Sequence, residues 1–143
     1  MDASHTPQRF TTRSEAETVE LGERLAANLR PGATLLLHGD LGAGKTTLVR
    51  GLAKGFGIDP MQVSSPTFVL IQEYTGWLKL YHVDLYRVEG AAVDDLGLEE
   101  LAEGSAVVVI EWAERLPRPF PGAIRLTITD KGENIREILL EKP

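Results

Sequence analysis

The spacing of apolar residues alternates along this chain between a helical period and short uninterrupted runs. Leu21, Leu25 and Leu29 lie four residues apart, so they share one face of a predicted helix. The residues of Thr34–His38 and Ala106–Ile110 instead form continuous apolar runs of strand length, which are typical of strands buried on both faces of a sheet. Strands interleaved with helices predict an α/β sandwich of the P-loop NTPase type, with a mixed central β-sheet flanked by helices.

Local signals set the ends of the predicted elements. Ser14 and Glu17 form a capping box at the start of the first helix, and Pro31-Gly32 ends it. Turn residues at Thr75-Gly76 and Lys131-Gly132 predict two hairpins. The predicted elements are, in chain order, a helix from Ser14 to about Leu29, a strand at Thr34–His38, a helix from Lys45 to about Lys54, strands at Thr67–Tyr74 and Leu78–Tyr86, a helical stretch at Ala91–Glu103 interrupted at Gly97, a strand at Ala106–Ile110, and strands at Ile124–Thr129 and Ile135–Glu141.

The composition fits one folded domain, which we expect to span residues 1–143. Apolar residues make up 43% of the 143-residue chain and charged residues 25%, close to the usual globular mixture. The absence of cysteine excludes a disulfide framework, a thiol nucleophile and a zinc–thiolate site. No apolar run reaches membrane-spanning length and the N-terminus does not resemble a signal peptide, so we expect a cytoplasmic protein without a membrane partner. A net charge of −6 argues against broad electrostatic wrapping of nucleic acid.

A glycine-rich segment between the first long strand and the following helix carries the clearest chemistry. Its sequence GDLGAGKT matches G-x-x-x-x-G-K-[ST] without a mismatch. Glycines let backbone N–H groups converge on phosphate, Lys45 reaches the β- and γ-phosphates, and the Thr46 hydroxyl ligates Mg²⁺. The alternative is a glycine-rich turn with a chance lysine, which the strand-before-helix context disfavours. The predicted cofactor-binding residues here are Gly39, Asp40, Leu41, Gly42, Ala43, Gly44, Lys45, Thr46 and Thr47.

Two carboxylates are candidates for the metal and the water beside a bound triphosphate. Glu111 directly follows an apolar strand, where the acidic partner of a phosphate loop usually stands, and an ordinary strand-end glutamate is the alternative. Asp84 is the candidate that orients metal-bound or attacking water, with a cross-strand salt bridge as the alternative. His82 lies two residues before it and is expected to be a hydrogen-bonded partner rather than a ligand or general base. The chain lacks the Asn-Lys-x-Asp segment of guanine-specific proteins, which favours ATP over GTP.

Thr67 is the candidate switch residue. It lies in the segment SSPTF, between the predicted helix that starts at Lys45 and the predicted hairpin around Thr75-Gly76. In nucleotide switches a threonine in this region ligates Mg²⁺ and its backbone senses the γ-phosphate. Serine, proline and threonine are also ordinary turn residues, so the local sequence leaves both interpretations open.

Four ordered motifs give the chain a resemblance to a known family. They are GDLGAGKTT at 39–47, SPTF at 65–68, HVDLYR at 82–87 and IEW at 110–112, at fitting distances. The chain therefore resembles the TsaE family, also called YjeE, the bacterial ATPases of tRNA threonylcarbamoyladenosine biosynthesis. The resemblance extends from the N-terminal helix to about Arg118, and the terminal hairpin fits it less distinctly.

The resemblance implies a Mg²⁺-dependent ATPase that acts with TsaD and TsaB during modification of adenosine 37 in tRNA, without performing the transfer itself. Its implied catalytic residues are Lys45, Thr67, Asp84 and Glu111, and its implied metal-binding residues are Thr46, Glu111 and Asp84. Glu15 and Arg136 are the nearest matches to the family's base-contacting residues. The tRNA is expected to be reached only through the complex. A small-molecule kinase and a nucleotide switch without turnover remain as alternatives.

Overall fold

The computed structural model describes residues 7–40, 42–64, 70–88 and 90–143, so Leu41, Thr67 and the rest of the SPTF motif lie outside the described residues. The strands are β1 (Gln8–Thr12), β2 (Thr34–His38), β3 (Ile71–Thr75), β4 (Lys79–Asp84), β5 (Val107–Glu111), β6 (Ile124–Gly132) and β7 (Ile135–Glu141). The helices are α1 (Glu15–Ala26), α2 (Lys45–Gly55), α3 (Ala91–Asp94) and α4 (Leu98–Glu103), with 3₁₀ turns at Pro60–Gln62 and Ala113–Arg115. None of the helices in these ranges is long and apolar enough to cross a membrane.

The strands form one mixed sheet in the order β1-β7-β6-β2-β5-β4-β3. β2 is parallel to both β5 and β6, and β4 is parallel to β5, whereas β1 and β3 join the sheet by antiparallel pairing. This sheet with its packed helices confirms the predicted α/β class. Leu37 pairs with Glu111, and Glu111 pairs with Asp84, so β2, β5 and β4 end at the same edge of the sheet.

The central strands are buried on both faces, as their continuous apolar runs predict. Leu35 and Leu37 of β2 belong to the core cluster that contains the apolar residues of α1 and α2. Leu36 points to the other face, where the second cluster contains Val93 of α3 and Leu98 of α4. Because neighbouring residues of a strand point to opposite faces, only an uninterrupted apolar run satisfies both layers.

Helices α1 and α2 approach each other until their backbones touch. A Cβ atom on Gly22 would lie 2.6 Å from the carbonyl oxygen of Leu48, and one on Gly51 would lie 2.3 Å from the carbonyl oxygen of Val19. Glycine is therefore the side-chain choice that permits this distance between the helices. The contact fixes the position of α2, whose N-terminus borders the site described below.

The capping box and the helix interruption are confirmed. Ser14 is the N-cap of α1, where its hydroxyl accepts from the Glu17 N–H at 3.1 Å, and the Glu17 carboxylate accepts from the Arg13 N–H at 3.0 Å. The helix ends at Ala26, three residues before the predicted end. The stretch predicted at 91–103 divides at Gly97, whose φ of 69° lies in the left-handed region.

The terminal hairpin turns later than the sequence pattern predicts. β6 continues through Gly132, and the turn is made by Glu133 and Asn134, whose φ values are 54° and 67°. Two consecutive residues with positive φ are typical of a type I′ hairpin turn, which matches the twist of the flanking strands. The prediction of a turn at Lys131-Gly132 was therefore wrong by two residues. β1 was not predicted at all, since its sequence QRFTT is mostly exposed and its partner β7 lies at the opposite end of the chain.

Candidate nucleotide-binding site

A cavity of about 580 Å³ opens at the edge of the sheet where β4 and β5 end and α2 begins. The segment after β2 lines it with Gly42, Gly44, Lys45, Thr46 and Thr47. The last residues of β4 and β5, Asp84 and Glu111, line it as well. The carboxyl ends of parallel strands are the usual place for ligands in α/β sheets, so the topology itself favours this position for a site.

Two glycines give the segment before α2 a shape that other residues rarely adopt. Gly42 has a φ of 81° and Gly44 a φ of 104°, both in the left-handed region. Gly44 is the N-cap of α2 and offers no side-chain acceptor, and the first turn carries no acidic residue. The first N–H groups of α2 and the positive end of its dipole are therefore available to an anion in the cavity.

The Lys45 ammonium group lies at the wall of this cavity and is largely removed from solvent. The residue is 5% exposed, and its Nζ donates a hydrogen bond to the Gly39 carbonyl at 2.7 Å. Nζ also lies 3.9 Å from the ring centroid of Trp112, a cation–π distance. Burial lowers the pKa of Lys45, and the neighbouring carboxylates, Glu111 foremost, act in the opposite direction. The cation is thus held by weak partners that phosphate oxygens would outcompete.

Asp84 and Glu111 form a buried pair of carboxylates on adjacent strands. They are paired in the β4–β5 register and are 8% and 3% exposed. Burial raises the pKa of the Asp84 carboxyl, and the Glu111 carboxylate adds to this effect. The Tyr86 N–H opposes it by donating to Asp84 Oδ1 at 2.8 Å. Two neighbouring buried carboxylates are the arrangement that a divalent cation stabilises.

The donors around the cavity fit Mg²⁺ bound together with a polyphosphate. The Thr46 hydroxyl, Asp84 and Glu111 all line the same space. Among the described residues, no three histidine, cysteine, aspartate or glutamate side chains form a complete metal-binding cluster. Mg²⁺ does not require one, because it usually takes one or two carboxylates and completes its shell with phosphate oxygens and water.

His82 lies behind the carboxylate pair and contacts Glu111 directly. Its Nε2 and Glu111 Oε2 form a hydrogen bond, and His82 is 0% exposed. This confirms the interpretation of His82 as a hydrogen-bonded partner. The alternative for Asp84, a cross-strand salt bridge to lysine or arginine, does not occur among the described residues.

Two aromatic side chains line the cavity although the sequence analysis assigned them no role. Trp112 and Tyr86 have ring centroids 4.9 Å apart, and the Trp112 ring carries the Lys45 ammonium group on its face. Trp112 has a φ of 58°, which is strained for a bulky residue and recurs at functional sites. The available signal was their place inside the HVDLYR and IEW motifs, next to the predicted carboxylates.

The N-terminal segment and the terminal hairpin also reach the cavity. Glu15 at the start of α1 and Arg136 of β7 both line it, so the structure brings the two residues together at one cavity, and their contact with a base stays a prediction. Arg136 lies beside Gly44 of the phosphate segment (the glycine-rich residues 39–47, predicted to bind phosphate), since a Cβ atom on Gly44 would lie 3.5 Å from its Nε. Its guanidinium also donates to Asp130 Oδ1 at 3.0 Å, which fixes its direction across the hairpin.

β1 holds the start of α1 beside the cavity through buried hydroxyl groups. Thr12 Oγ1 and Thr18 Oγ1 are 2.7 Å apart, and the Thr18 hydroxyl donates to the Ser14 carbonyl at 3.2 Å. Because the single hydroxyl proton of Thr18 is used in the second bond, Thr12 is the donor in the first. The strand missed by the sequence analysis therefore helps to position Ser14 and Glu15.

Three of the predicted phosphate-segment residues do not line the cavity. Gly39 contributes its carbonyl to Lys45, and Asp40 is exposed with its carbonyl accepting from the Ala43 N–H at 3.0 Å. Ala43 is buried in the core cluster below the segment. Leu41 and Thr67 lie outside the described residues, so their predicted roles stay predictions.

Comparisons with known proteins converge on one description. A family model described as threonylcarbamoyl adenosine biosynthesis protein TsaE matches residues 12–138. The chain is similar to three proteins described as tRNA threonylcarbamoyladenosine biosynthesis protein TsaE. It is 42% identical to the one from Bacillus subtilis, over 91% of this chain and 82% of that protein, and 48% identical to the one from Nostoc sp., over 85% of this chain and 78% of that protein. It is 41% identical to the one from Treponema pallidum, over 91% of this chain and 97% of that protein. The crystal structure of Bacillus subtilis YdiB superimposes with a TM-score of 0.79 at 35% identity, covering 96% of this chain and 86% of that one.

Proposed function

The chain belongs to the TsaE family of threonylcarbamoyl adenosine biosynthesis proteins, and from that premise we propose that it binds ATP with Mg²⁺ in the cavity and hydrolyses it in support of tRNA modification. One arrangement carries the proposal. The N-terminus of α2, with Lys45 in its first turn, opens onto the buried carboxylates of Asp84 and Glu111. Positive charge for phosphates and negative charge for a metal thus border the same space.

In this proposal the triphosphate replaces the weak partners of Lys45. The N–H groups at the start of α2 donate to phosphate oxygens, and Nζ leaves the Gly39 carbonyl and the Trp112 ring for the β- and γ-phosphates. The exchange is favourable because phosphate oxygens carry negative charge, whereas the carbonyl oxygen and the aromatic ring that they replace are neutral. Glu15 and Arg136, at the far ends of the chain, are the candidates for contacts with the base.

The two carboxylates are proposed to bind the metal and to orient the attacking water. Thr46 and Glu111 are the residues that would hold Mg²⁺, which would neutralise the developing phosphate charge when bound. Asp84 accepts a hydrogen bond from the attacking water or from a metal-bound water. Its raised pKa makes it a better proton acceptor than an ordinary aspartate. Arg87, an exposed residue that also lines the cavity, is a further candidate cation for the γ-phosphate beside Lys45.

The proposed partners are TsaD and TsaB. Tyr86, which lines the cavity, is 43% exposed, so within the described residues this side of the cavity is open to water. A partner surface that covers this side would exclude water and fix the catalytic residues, which is how many nucleotide-hydrolysing proteins are activated. The exposed acidic residues Asp94, Asp95, Glu99 and Glu100 disfavour direct capture of tRNA, so tRNA is reached through the complex. The same proposal assigns the protein to the cytoplasm, with tRNA.

Product analysis and co-purification test the proposal together. We expect Mg²⁺-dependent release of ADP and free phosphate, and nucleotide-dependent capture of TsaD with TsaB by the immobilised chain. Phosphorylation of an added small-molecule acceptor would indicate a kinase instead. Equal capture of the partners by wild type and by a non-hydrolysing Glu111→Gln protein, without measurable turnover in either, would indicate a nucleotide switch.

A further inference from the structure

We propose that His82 is a positioning residue that orients the Glu111 carboxylate toward Mg²⁺ through the hydrogen bond between Nε2 and Oε2. The inference rests on the proposed function, because the metal in question belongs to the same cavity. Its basis is a bond between two strands in the protein interior, where His82 is 0% and Glu111 3% exposed. Glu111 lines the cavity and His82 does not, so the bond runs from the core outward to the site.

The register of the sheet explains how His82 reaches Glu111. His82 pairs with Val109, and Asp84, two residues further on the same face of β4, pairs with Glu111. The imidazole therefore reaches diagonally along the sheet to a residue two positions beyond its own partner, a distance that long side chains span. β4 supplies both the second carboxylate of the site and the group that holds the first.

The proton of this bond can be assigned from the surroundings of the ring. Nδ1 is buried and has no hydrogen-bond partner among the described residues. A proton on Nδ1 would leave an unsatisfied N–H group in the core, which is unfavourable. The proton is therefore on Nε2, which donates to Glu111 Oε2. That bond occupies Glu111 Oε2, so Oε1 is the oxygen that the proposal assigns to the metal.

A purely structural role is the competing explanation, and stability alone does not favour it. Buried polar pairs contribute little to folding compared with apolar residues of the same volume. In metal sites, however, a hydrogen bond to the far side of a ligand fixes its orientation, and its loss costs about 10–100-fold in metal affinity or activity. The two explanations differ in whether loss of the bond changes Mg²⁺ binding separately from nucleotide binding.

Two amide variants separate these explanations. The amide group of His82→Gln extends to the place of Nε2 and retains a donor for Glu111, whereas the shorter His82→Asn reaches only the place of Nδ1. ADP affinity is measured by calorimetry in EDTA and at increasing Mg²⁺, with thermal unfolding as the control for the fold. We expect both variants to bind ADP in EDTA like wild type. In His82→Asn, the Mg²⁺ concentration at which the increase in ADP affinity is half complete should be about 10–100-fold higher than in wild type. In His82→Gln, this concentration should be close to the wild-type value.

Nitrogen-15 NMR of the wild-type protein adds a test that does not depend on any variant folding. His82 should show a protonated Nε2 and an unprotonated Nδ1, and the opposite pattern would overturn the proposal. A His82→Asn protein with wild-type Mg²⁺ dependence, or one that loses ADP binding equally in EDTA and in Mg²⁺, would also overturn it. If the ADP affinity of the wild-type protein does not depend on Mg²⁺, the proposed function is contradicted, and the inference about His82 with it. This result is distinguishable from a failure of the inference alone, because it is seen in the wild-type protein without any variant.

Discussion

At the scale of single residues, the cavity concentrates charges that the protein alone balances only in part. Lys45 is almost fully buried against a carbonyl oxygen and an aromatic ring, and Asp84 lies beside a second carboxylate. Such arrangements are costly in a folded protein and persist where function requires them. Three predictions follow from the surroundings of these side chains.

Lys45→Ala should remove nucleotide binding while leaving the fold intact, because in the proposed site the ammonium group binds phosphates, and within the chain it makes one hydrogen bond to a carbonyl and one cation–π contact. In wild type, ATP at about 100 times its Kd stabilises the folded state by about 2.7 kcal/mol, and the variant should lose this protection against heating. Lys54→Ala is the matched control, since Lys54 lies at the other end of α2 in an exposed pair with Glu23. Wild-type protection of Lys45→Ala by ATP would contradict the phosphate-loop assignment.

The raised pKa of Asp84 predicts that its ionised carboxylate lowers the free energy of unfolding of the nucleotide-free protein, to an extent that depends on pH. A carboxyl whose pKa is higher in the folded than in the unfolded state favours folding when protonated, and this contribution is lost as pH rises from the unfolded value near 3.8 through the folded pKa. Asp84→Asn keeps an acceptor for the Tyr86 N–H and removes the charge. We therefore expect it to raise the Tm at pH 7, with a gain that shrinks toward pH 4.

Thermal scans across this pH range without nucleotide or Mg²⁺ check the Asp84 prediction. The exposed Asp95→Asn serves as the control and should show no such trend. A Tm of Asp84→Asn that is lower than that of wild type at pH 7, and equally so at pH 4, would contradict the burial argument.

Trp112 should report nucleotide binding and Trp77 should not. Trp112 lies on the cavity wall in contact with Lys45, whereas Trp77 is 79% exposed in the β3–β4 turn and bonds to the Gly55 carbonyl. Adding Mg-ATP should change the indole emission of Trp77→Phe and leave that of Trp112→Phe unchanged. The reverse pattern would mean that the nucleotide binds elsewhere.

At the scale of elements, the site depends on the close approach of two helices. Gly51→Ala would bring a methyl group to 2.3 Å from the Val19 carbonyl oxygen, so the helices must separate. Overpacking of this kind costs about 1–3 kcal/mol, more than the about 1 kcal/mol that alanine contributes to helix propensity. We expect a lower free energy of unfolding by denaturant, together with weaker ATP binding because α2 carries the phosphate segment.

Gly104→Ala is the control for the helix-contact prediction. Its Cβ would meet the Leu101 carbonyl oxygen at 3.6 Å, an ordinary contact, and its φ of −81° suits any residue. Its effect on the free energy of unfolding should stay within about 0.5 kcal/mol. Equal free energies of unfolding for the two alanine variants would contradict this prediction, because α1 and α2 would then separate at no cost in stability.

At the scale of the whole molecule, the sheet collects functional groups from every part of the chain. Glu15, Lys45, Asp84, Glu111 and Arg136 come from five different elements and line one cavity. Tyr86 and Arg87 line the cavity and are exposed, so this side of it is open to solvent in the part of the chain that the structure describes. Phosphoryl transfer is accelerated mainly by positioning and charge stabilisation, both of which an open side weakens.

Hydrolysis by the isolated chain should therefore be slow and should change when partners bind. Phosphate release is measured for the chain alone, for TsaD with TsaB, and for all three together. We expect turnover well below the typical enzyme median of about 10 s⁻¹ for the chain alone, and a clear change in the mixture beyond the sum of the separate rates. Turnover near that median, unaltered by the partners, would contradict partner-gated hydrolysis.

The sequence by itself determined the features that depend on short-range chemistry. The apolar run of β2, the capping box at Ser14 and the break at Gly97 each follow from contacts within a few residues, and the structure confirms them. The phosphate segment is of the same kind, since Gly42 and Gly44 adopt the left-handed conformations that its glycines suggest. The mixed α/β class followed from the order of these elements.

Only the tertiary structure decided which distant groups meet. β1 became a strand because β7 pairs with it, and the hydrogen bond from His82 to Glu111 depends on the β4–β5 register. Trp112 beneath Lys45 likewise requires the end of β5 to lie beside the start of α2. Local sequence does not encode such contacts, because pairing and register are set by the packing of the whole sheet, where burial of both faces outweighs the preferences of any single segment.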